Sequence, residues 1–272
     1  MKLFDCTPAL IGVVHLRPLP GAPRFDGDHS GVLAAARRDA AALMQGGCDA
    51  VIVENFGDVP FHRERVPPET VASMALALAA VREELGDLPL GVNVLRNDAR
   101  AALGLCAATG ADFLRVNVHT SAAVSDQGIL QGRAEDTIRE RSRIAPKVLV
   151  FADVHVKHAT PMGSESAAEA AADAIVRGIA DGVILTGSAT GRPPSQEVLS
   201  HVRRHVGTAR VLIGSGLSDA NAPRLLECAD GAIVGTWFKK DAQLANPVDA
   251  DRVRRLRTIF DSVSEERPET VR

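Results

Sequence analysis

Eight short apolar runs punctuate the chain, at residues 10–15, 51–53, 89–95, 113–116, 148–156, 183–185, 211–214 and 232–234. Alanine-rich stretches that read as helices alternate with them, at 32–45, 68–85, 98–109, 134–144, 165–178, 195–206, 219–227 and 249–262. The second begins at Pro67-Pro68, where proline suits a first helical turn. An internal echo defines the unit. Gly47-Cys48-Asp49-Ala50-Val51-Ile52-Val53 and Gly110-Ala111-Asp112-Phe113-Leu114-Arg115-Val116 resemble Ala180-Asp181-Gly182-Val183-Ile184-Leu185 and Ala229-Asp230-Gly231-Ala232-Ile233-Val234. Each sets an Asp just before a strand, and the four Asp residues lie 63, 69 and 49 residues apart, the length of two strand–helix units. Eight strands alternating with eight helices predict a single (β/α)8 TIM barrel. The alternative, an open doubly wound sheet, lacks a glycine-rich dinucleotide fingerprint after its first strand.

No linker or composition shift divides the chain, so residues 1–264 read as one barrel domain and 265–272 as a charged, frayed tail. Two long loops, 16–30 and 120–132, interrupt the alternation. Such loops serve as lids or binding loops, although a proline-stiffened surface loop explains the first equally well.

The run at 148–156 stands apart. Its first half is apolar and β-branched, as a strand buried on both faces requires. From Asp153 onward it turns polar, and Asp153, His155 and Lys157 fall at spacing two, on one face if the strand continues. Unpaired buried charges cost several kcal/mol each, so stability does not explain them.

Composition narrows the partners. A net charge of -3, no Tyr and a lone Trp237 give no footprint for nucleic acid. Cys6, Cys48, Cys106 and Cys228 are dispersed without a Cys-x-x-Cys pair, so a reducing, cytoplasmic setting is expected. The N-terminus lacks a signal-type apolar run, and no stretch is long and apolar enough for a transmembrane segment.

In a barrel of this kind, chemistry collects where strands end. Those positions hold His15, Glu54-Asn55, Asn93 with Arg96-Asn97-Asp98, and Arg115 with Asn117 and His119. Asp153, His155, Lys157 and His158 follow, then Thr186-Gly187, Gly214-Ser215-Gly216 and Gly235-Thr236. Any one has a plain explanation: Asn97 or Asp98 as a helix cap, or Arg115 as partner to a buried carboxylate. Convergence from at least five strands is better explained by a ligand or catalytic site. Gly214, Ser215, Gly216, Gly235 and Thr236 end two adjacent strands, where small side chains admit an anion to backbone N–H groups and a following helix N-terminus adds positive potential. A phosphate site is therefore expected there, against the simpler reading of two tight glycine turns; Thr186-Gly187-Ser188 could extend it.

Three mechanisms compete. Lys157 could form a Schiff base if burial and neighbouring cations hold its amine neutral, or could only bind an anion. Asp153 or Glu54 could act as base with His119, His155 or His15 as acid, in an isomerase, a lyase or a glycosidic cleavage. A divalent metal on Glu54, Asp153 and His155 ranks last, because Lys157 would repel it and no metal-binding motif supports it.

Long motifs carry a resemblance. The segments from Ile11 to Gly21, Val53 to Phe61, Gly91 to Asp98, Arg115 to Thr120, Asp126 to Gly128, Ala152 to His158 and Ile213 to Gly216 resemble those of the BtpA/SgcQ family over residues 8–257. The resemblance implies a ribulose-phosphate-binding-like barrel and, by the family's name, a link to photosystem I biogenesis. The expectation drawn is an enzyme acting on a small phosphorylated metabolite, sugar or nucleoside-like, as a homo-oligomer without a cofactor. Asp153, His155, Lys157, Glu54 and His119 would carry the chemistry, with His15, Asn93, Arg96 and Asn117 orienting the substrate. The rival is a non-catalytic assembly factor for a membrane complex, which would need an apolar or basic docking surface.

Overall fold

The eight apolar runs form the parallel strands of a closed barrel; the computed structural model describes residues 8–163, 165–187 and 192–266. The strands are β1 (Ala9–His15), β2 (Ala50–Glu54), β3 (Leu90–Asn93), β4 (Phe113–Val116), β5 (Ala122–Ser125), β6 (Gly128–Gln131), β7 (Leu149–Val154), β8 (Ala159–Pro161), β9 (Gly182–Leu185), β10 (Arg210–Ile213) and β11 (Gly231–Val234). Around the barrel they run β1-β2-β3-β4-β7-β9-β10-β11, while β5, β6 and β8 make a separate antiparallel sheet. The helices are α1 (His29–Gln45), α2 (Pro68–Leu85), α3 (Ala99–Thr109), α4 (Ala134–Ile144), α5 (Ala167–Val176), α6 (Gln196–Val206), α7 (Ala222–Leu226) and α8 (Ala250–Glu266).

Local chemistry sets several boundaries. Asp98 caps α3 by accepting from the Ala101 N–H at 2.9 Å, whereas Asn97 instead clasps both backbone groups of Val118. Ser166 and Glu169 form a reciprocal capping box, so α5 starts later than the sequence pattern suggests. The stretch at 219–227 yields only the five-residue α7. Glu265 and Glu266 belong to α8, and residues 267–272 of the expected tail, like Ser188, lie outside the described residues.

The echoed aspartates have one structural job. Asp49, Asp112, Asp181 and Asp230 accept from the backbone N–H of Leu10, Leu90, Val150 and Val211 respectively. Each also binds an arginine from the helix that comes before the capped strand around the barrel, α8 closing the circle onto β1: Arg257 on α8, Arg82 on α2, Arg141 on α4 and Arg203 on α6. The same clamp, repeated four times, closes the strand-start face of the barrel. The repeat therefore speaks to stability, not chemistry.

Inside the barrel, inward positions form an apolar floor of Ile11, Val13, Ala50, Ile52, Phe113, Phe151, Ile184, Leu212 and Ile233. The Phe113 and Phe151 rings meet edge to face at 5.9 Å. Gly91 and Gly182 make room for them: a Cβ at Gly91 would lie 2.2 Å from the Phe113 ring, and one at Gly182 would lie 2.8 Å from the Phe151 ring. Period-two alternation makes the next inward position on each strand His15, Glu54, Asn93, Arg115, Asp153, Thr186, Gly214 or Gly235. Apolar below, polar above: the floor ends where the candidate site begins.

The loop at 120–132 is a hairpin. β5 pairs with β6 across the Asp126-Gln127-Gly128 turn, and β8 adds to the other edge of β5. Ala123, Leu130, Val118 and Val156 form a small core beneath it.

Candidate active site

A cavity of 320 Å³ opens above the apolar floor at the strand ends. His15, Glu54, Arg115 and Lys157 line it from β1, β2, β4 and the segment after β7. Gly214, Ser215, Gly216, Ser218, Gly235 and Thr236 line it from the ends of β10 and β11, so two chemically different ends share one space.

The buried charges are organised in pairs. The Arg115 guanidinium grips Asp153 with two parallel hydrogen bonds, 3.0 Å from Nε and 2.9 Å from Nη2, and both side chains are buried. Asn117 adds a third donor to Asp153, leaving its own Oδ1 buried without a partner. Burial alone would lower the Arg115 pKa, but the charges of Asp153 and Glu54 reverse the shift and hold it up. Asp153 is thereby engaged beneath the cavity and does not line it, which removes the free general base expected at that position. Glu54 accepts from Asn93 Nδ2 at 2.6 Å through one carboxylate oxygen and faces the cavity. Arg96 donates from Nη2 to the Lys157 carbonyl at 2.8 Å and keeps a buried, unpartnered Nε; burial lowers its pKa.

The expected shared face of Asp153, His155 and Lys157 does not persist. β7 stops at Val154, and His155 takes a left-handed φ of 49°, which breaks the alternation. Val156 then drops into the hairpin core, and Lys157 lines the barrel cavity. His155 does not line it, and its Nε2 is buried without a partner. His158 is also left-handed, with φ 60°. Burial lowers the Lys157 pKa, and the nearby Arg115 charge lowers it further, against the pull of Glu54 and Asp153. His15 packs edge-on against Phe56 at 5.0 Å. Its pKa falls to about 3, first through burial and then through the charges of Lys239 and Lys157, so it is a neutral imidazole at physiological pH.

His119 is placed elsewhere. Its Nε2 lies 2.8 Å from the Gly178 carbonyl, behind the strand layer, and burial lowers its pKa. Nothing brings it to the cavity, so the acid role expected of it has no geometric support. Nor do Glu54, Asp153 and His155 assemble: among the described residues no three His, Cys, Asp or Glu side chains converge as a metal site requires.

The glycines at the other end partly serve the chain itself. A Cβ on Gly214 would lie 2.4 Å from Ile184, one on Gly216 2.2 Å from the Pro193 backbone, and one on Gly235 2.5 Å from the His15 ring. Asn221 braces this loop, accepting from Ser218 N–H and donating to the Gly216 carbonyl. The five-residue α7 that follows is too short to lend the helix-end potential expected there.

A larger cavity, 420 Å³, lies outside the barrel between α3, α4 and the β2–α2 loop, lined by surface arginines and carboxylates. None of the charged groups of the barrel interior reaches it. Sequence reasoning did not single out Trp237, which also lines the inner cavity under a cation–π contact from Arg252 at 4.5 Å. It also missed Lys239, buried and paired to Asp39 at 2.6 Å. The lone tryptophan beside Thr236 was a usable signal. The Lys239–Asp39 pair, 200 residues apart, offered none.

Solved structures share this architecture. Phosphoribosyl anthranilate isomerase from Thermus thermophilus superposes with TM-score 0.59 at 14% identity, covering 93% of this chain and 99% of its own. KGPDC from Streptococcus mutans superposes with TM-score 0.59 at 14% identity, covering 94% and 99%. Such identities establish the fold alone, a (β/α)8 barrel. Sequence relatives lie nearer. An uncharacterized protein of Thermococcus kodakarensis is 48% identical over 247 residues, 91% of this chain and 93% of that protein. The photosystem I biogenesis protein BtpA of Synechocystis is 42% identical over 252 residues, 93% of this chain and 88% of that protein. With a family model matching residues 6–262, the chain belongs to the BtpA family.

Proposed function

We propose that this barrel is an enzyme acting on a phosphorylated sugar or nucleoside-like metabolite, by lyase, isomerase or glycosidic-cleavage chemistry. One observation carries the reading: a single 320 Å³ cavity holds Glu54 and Lys157 at one end and the glycine- and serine-rich ends of β10 and β11 at the other. A phosphate would sit among Gly214, Ser215, Gly216, Gly235 and Thr236, where small residues admit it to backbone donors. The sugar would then reach Glu54, the carboxylate left free to move a proton, with Lys157 and Arg115 stabilising charge on its oxygens. Neutral His15 would donate or accept a hydrogen bond at a hydroxyl. Asp153, Asn117, Asn93 and Arg96 would hold these groups in place. Several structural neighbours bear the names of enzymes for phosphorylated compounds, which supports the class and not the reaction.

Calorimetry with a panel of sugar phosphates and nucleotides tests this, paired with turnover measurements on Glu54→Gln. The expected result is a binder that competes with inorganic phosphate, is retained in Glu54→Gln and is turned over only by the native protein. A panel without any such binder sinks the proposal. One observation favours the rival docking reading. Val124 and Ile129, cross-strand partners, stay half exposed on the outer face of the hairpin sheet together with Met162. Changing Val124 and Ile129 to Thr would abolish docking under that reading and leave ligand binding intact under ours.

A further inference from the structure

We propose that Lys157 is the covalent centre of this site: its amine condenses with an aldehyde or ketone of the phosphorylated substrate to form an imine. The inference deepens the function proposed above and rests on it for the phosphate anchor. It starts from a contrast between the buried Lys239 and the partly buried Lys157. Lys239 is tied to Asp39 at 2.6 Å, the ordinary way to bury an ammonium. Lys157 has no such partner: among the described residues its amine makes no ion pair or hydrogen bond, yet it lines the inner cavity. The carboxylate nearest in the strand order, Asp153, is taken by Arg115 and Asn117. Glu54 accepts from Asn93 through one oxygen, and among the described residues it forms no ion pair with Lys157. A partly desolvated amine beside the Arg115 cation, facing the cavity, is an amine arranged to be neutral and nucleophilic. The direction of its pKa agrees.

The backbone is arranged for the same end. His155 and His158 both adopt left-handed φ on either side of Val156-Lys157. For residues with a Cβ, each costs on the order of 1–3 kcal/mol, and such strain persists where geometry serves a site. The Arg96 guanidinium fixes the Lys157 carbonyl at 2.8 Å, and Val156 is anchored in the hairpin core. The side chain is thus delivered into the cavity by a rigid turn, not by a continuing strand.

The step balances without an added reactant. The lone pair of the neutral Lys157 amine adds to the carbonyl carbon and breaks the C–O π bond; Glu54 takes one N–H proton and hands it to the alkoxide, giving a neutral carbinolamine. Glu54 then takes the remaining N–H proton and returns it to the hydroxyl, which leaves as water while the nitrogen forms the C=N bond. Groups facing Lys157 that set its charge are Arg115, Arg96, Glu54, Asp153, His15 and His158.

The chain has only five lysines, Lys2, Lys147, Lys157, Lys239 and Lys240, so labelling is readily resolved. The probe is pyridoxal 5′-phosphate, an aldehyde carrying a phosphate, reduced with sodium borohydride and mapped by peptide mass on the full chain. Lys157 should label at neutral pH clearly faster than exposed Lys147 and Lys240, because a lowered pKa leaves more of its amine unprotonated. Inorganic phosphate should slow that labelling, and Lys157→Arg should remove it while still binding inorganic phosphate. Labelling of Lys157 no faster than Lys147 overturns the inference. If phosphate binds and Lys157 stays unlabelled, the covalent step falls and the proposed function stands. If Lys157 labels fast but phosphate does not compete, the covalent step stands and the phosphate anchor falls.

Discussion

Replacing Asp153 with Leu should be among the most damaging single changes in the barrel interior, and the size of the loss follows from burial. The Arg115 and Asp153 side chains are 5% and 0% exposed and joined by two short hydrogen bonds. Breaking a buried ion pair by removing one partner costs about 3–5 kcal/mol, because the other charge remains desolvated and unpaired. For a chain of this size about 2 °C of melting temperature accompanies each kcal/mol. Asp153→Leu should therefore lower Tm by about 6–10 °C, measured by circular dichroism. The double variant Arg115→Met, Asp153→Leu removes both charges and fills the space with apolar atoms, and such replacements of buried pairs are often close to neutral. It should recover more than half of the loss. A double variant as unstable as the sum of its two single changes would refute the reasoning, since the two sites would then act independently. Asp153→Asn is a milder test: it keeps an acceptor for Arg115 but leaves a net positive charge beside Lys157 and Arg96.

Three further outcomes follow. Gly235→Ala sets a Cβ 2.5 Å from the His15 ring and should weaken inorganic phosphate binding at least tenfold by calorimetry, with a stability loss of about 1–3 kcal/mol from overpacking; unchanged binding would remove Gly235 from the site. Asp230→Ala strips the Val211 N–H and Arg203 of their shared acceptor; a buried donor left unmade costs about 1–3 kcal/mol, and amide exchange at Val211 should quicken. His15 is neutral when folded down to about pH 3 but takes a proton near 6.5 when unfolded, so the unfolded state binds more protons between those values. Its contribution is complete above pH 6.5 and is lost as pH falls toward 3, amounting to about 3 kcal/mol by pH ~4; in His15→Phe that part of the slope, read from urea midpoints, should vanish.

How much of this was legible in the sequence depends on the range of the forces involved. All eight barrel strands and their helices follow from local hydrophobic runs, and Pro68 opens α2 as its position suggests. The polar layer of His15, Glu54, Asn93, Arg115 and Asp153 was legible because alternation is a backbone property. What failed was whatever depended on a single backbone departure or a distant partner. His155 leaves the strand through one left-handed residue, which histidine does not advertise. β5 and β6 pair through Ala-Ala-Val-Ser and Gly-Ile-Leu-Gln, sequences too short and too neutral to mark strands. His119 sits at a strand end by count, yet its ring is claimed by the Gly178 carbonyl 59 residues away. The echoed aspartates read as a repeat, but only the structure joins each to its arginine.

The charge arrangement inside the barrel explains why so many ionisable groups can be tolerated at one site. Arg115, Arg96 and Lys157 face Asp153 and Glu54. If all were ionised, the enclosed layer would carry one uncompensated positive charge, three cations against two carboxylates. Arg115 cannot surrender its proton, and it is committed to Asp153. Arg96 is held by a backbone carbonyl and also stays charged. The excess can be relieved in two ways: Lys157 loses its proton, or an anion enters the cavity. The two are alternatives: a neutral Lys157 leaves two cations against two carboxylates, whereas an anion close to the amine would favour its ammonium form. The imine proposed above therefore requires the phosphate to sit at the glycine-rich ends of β10 and β11, away from the amine, and only the carbonyl end of the ligand to reach Lys157.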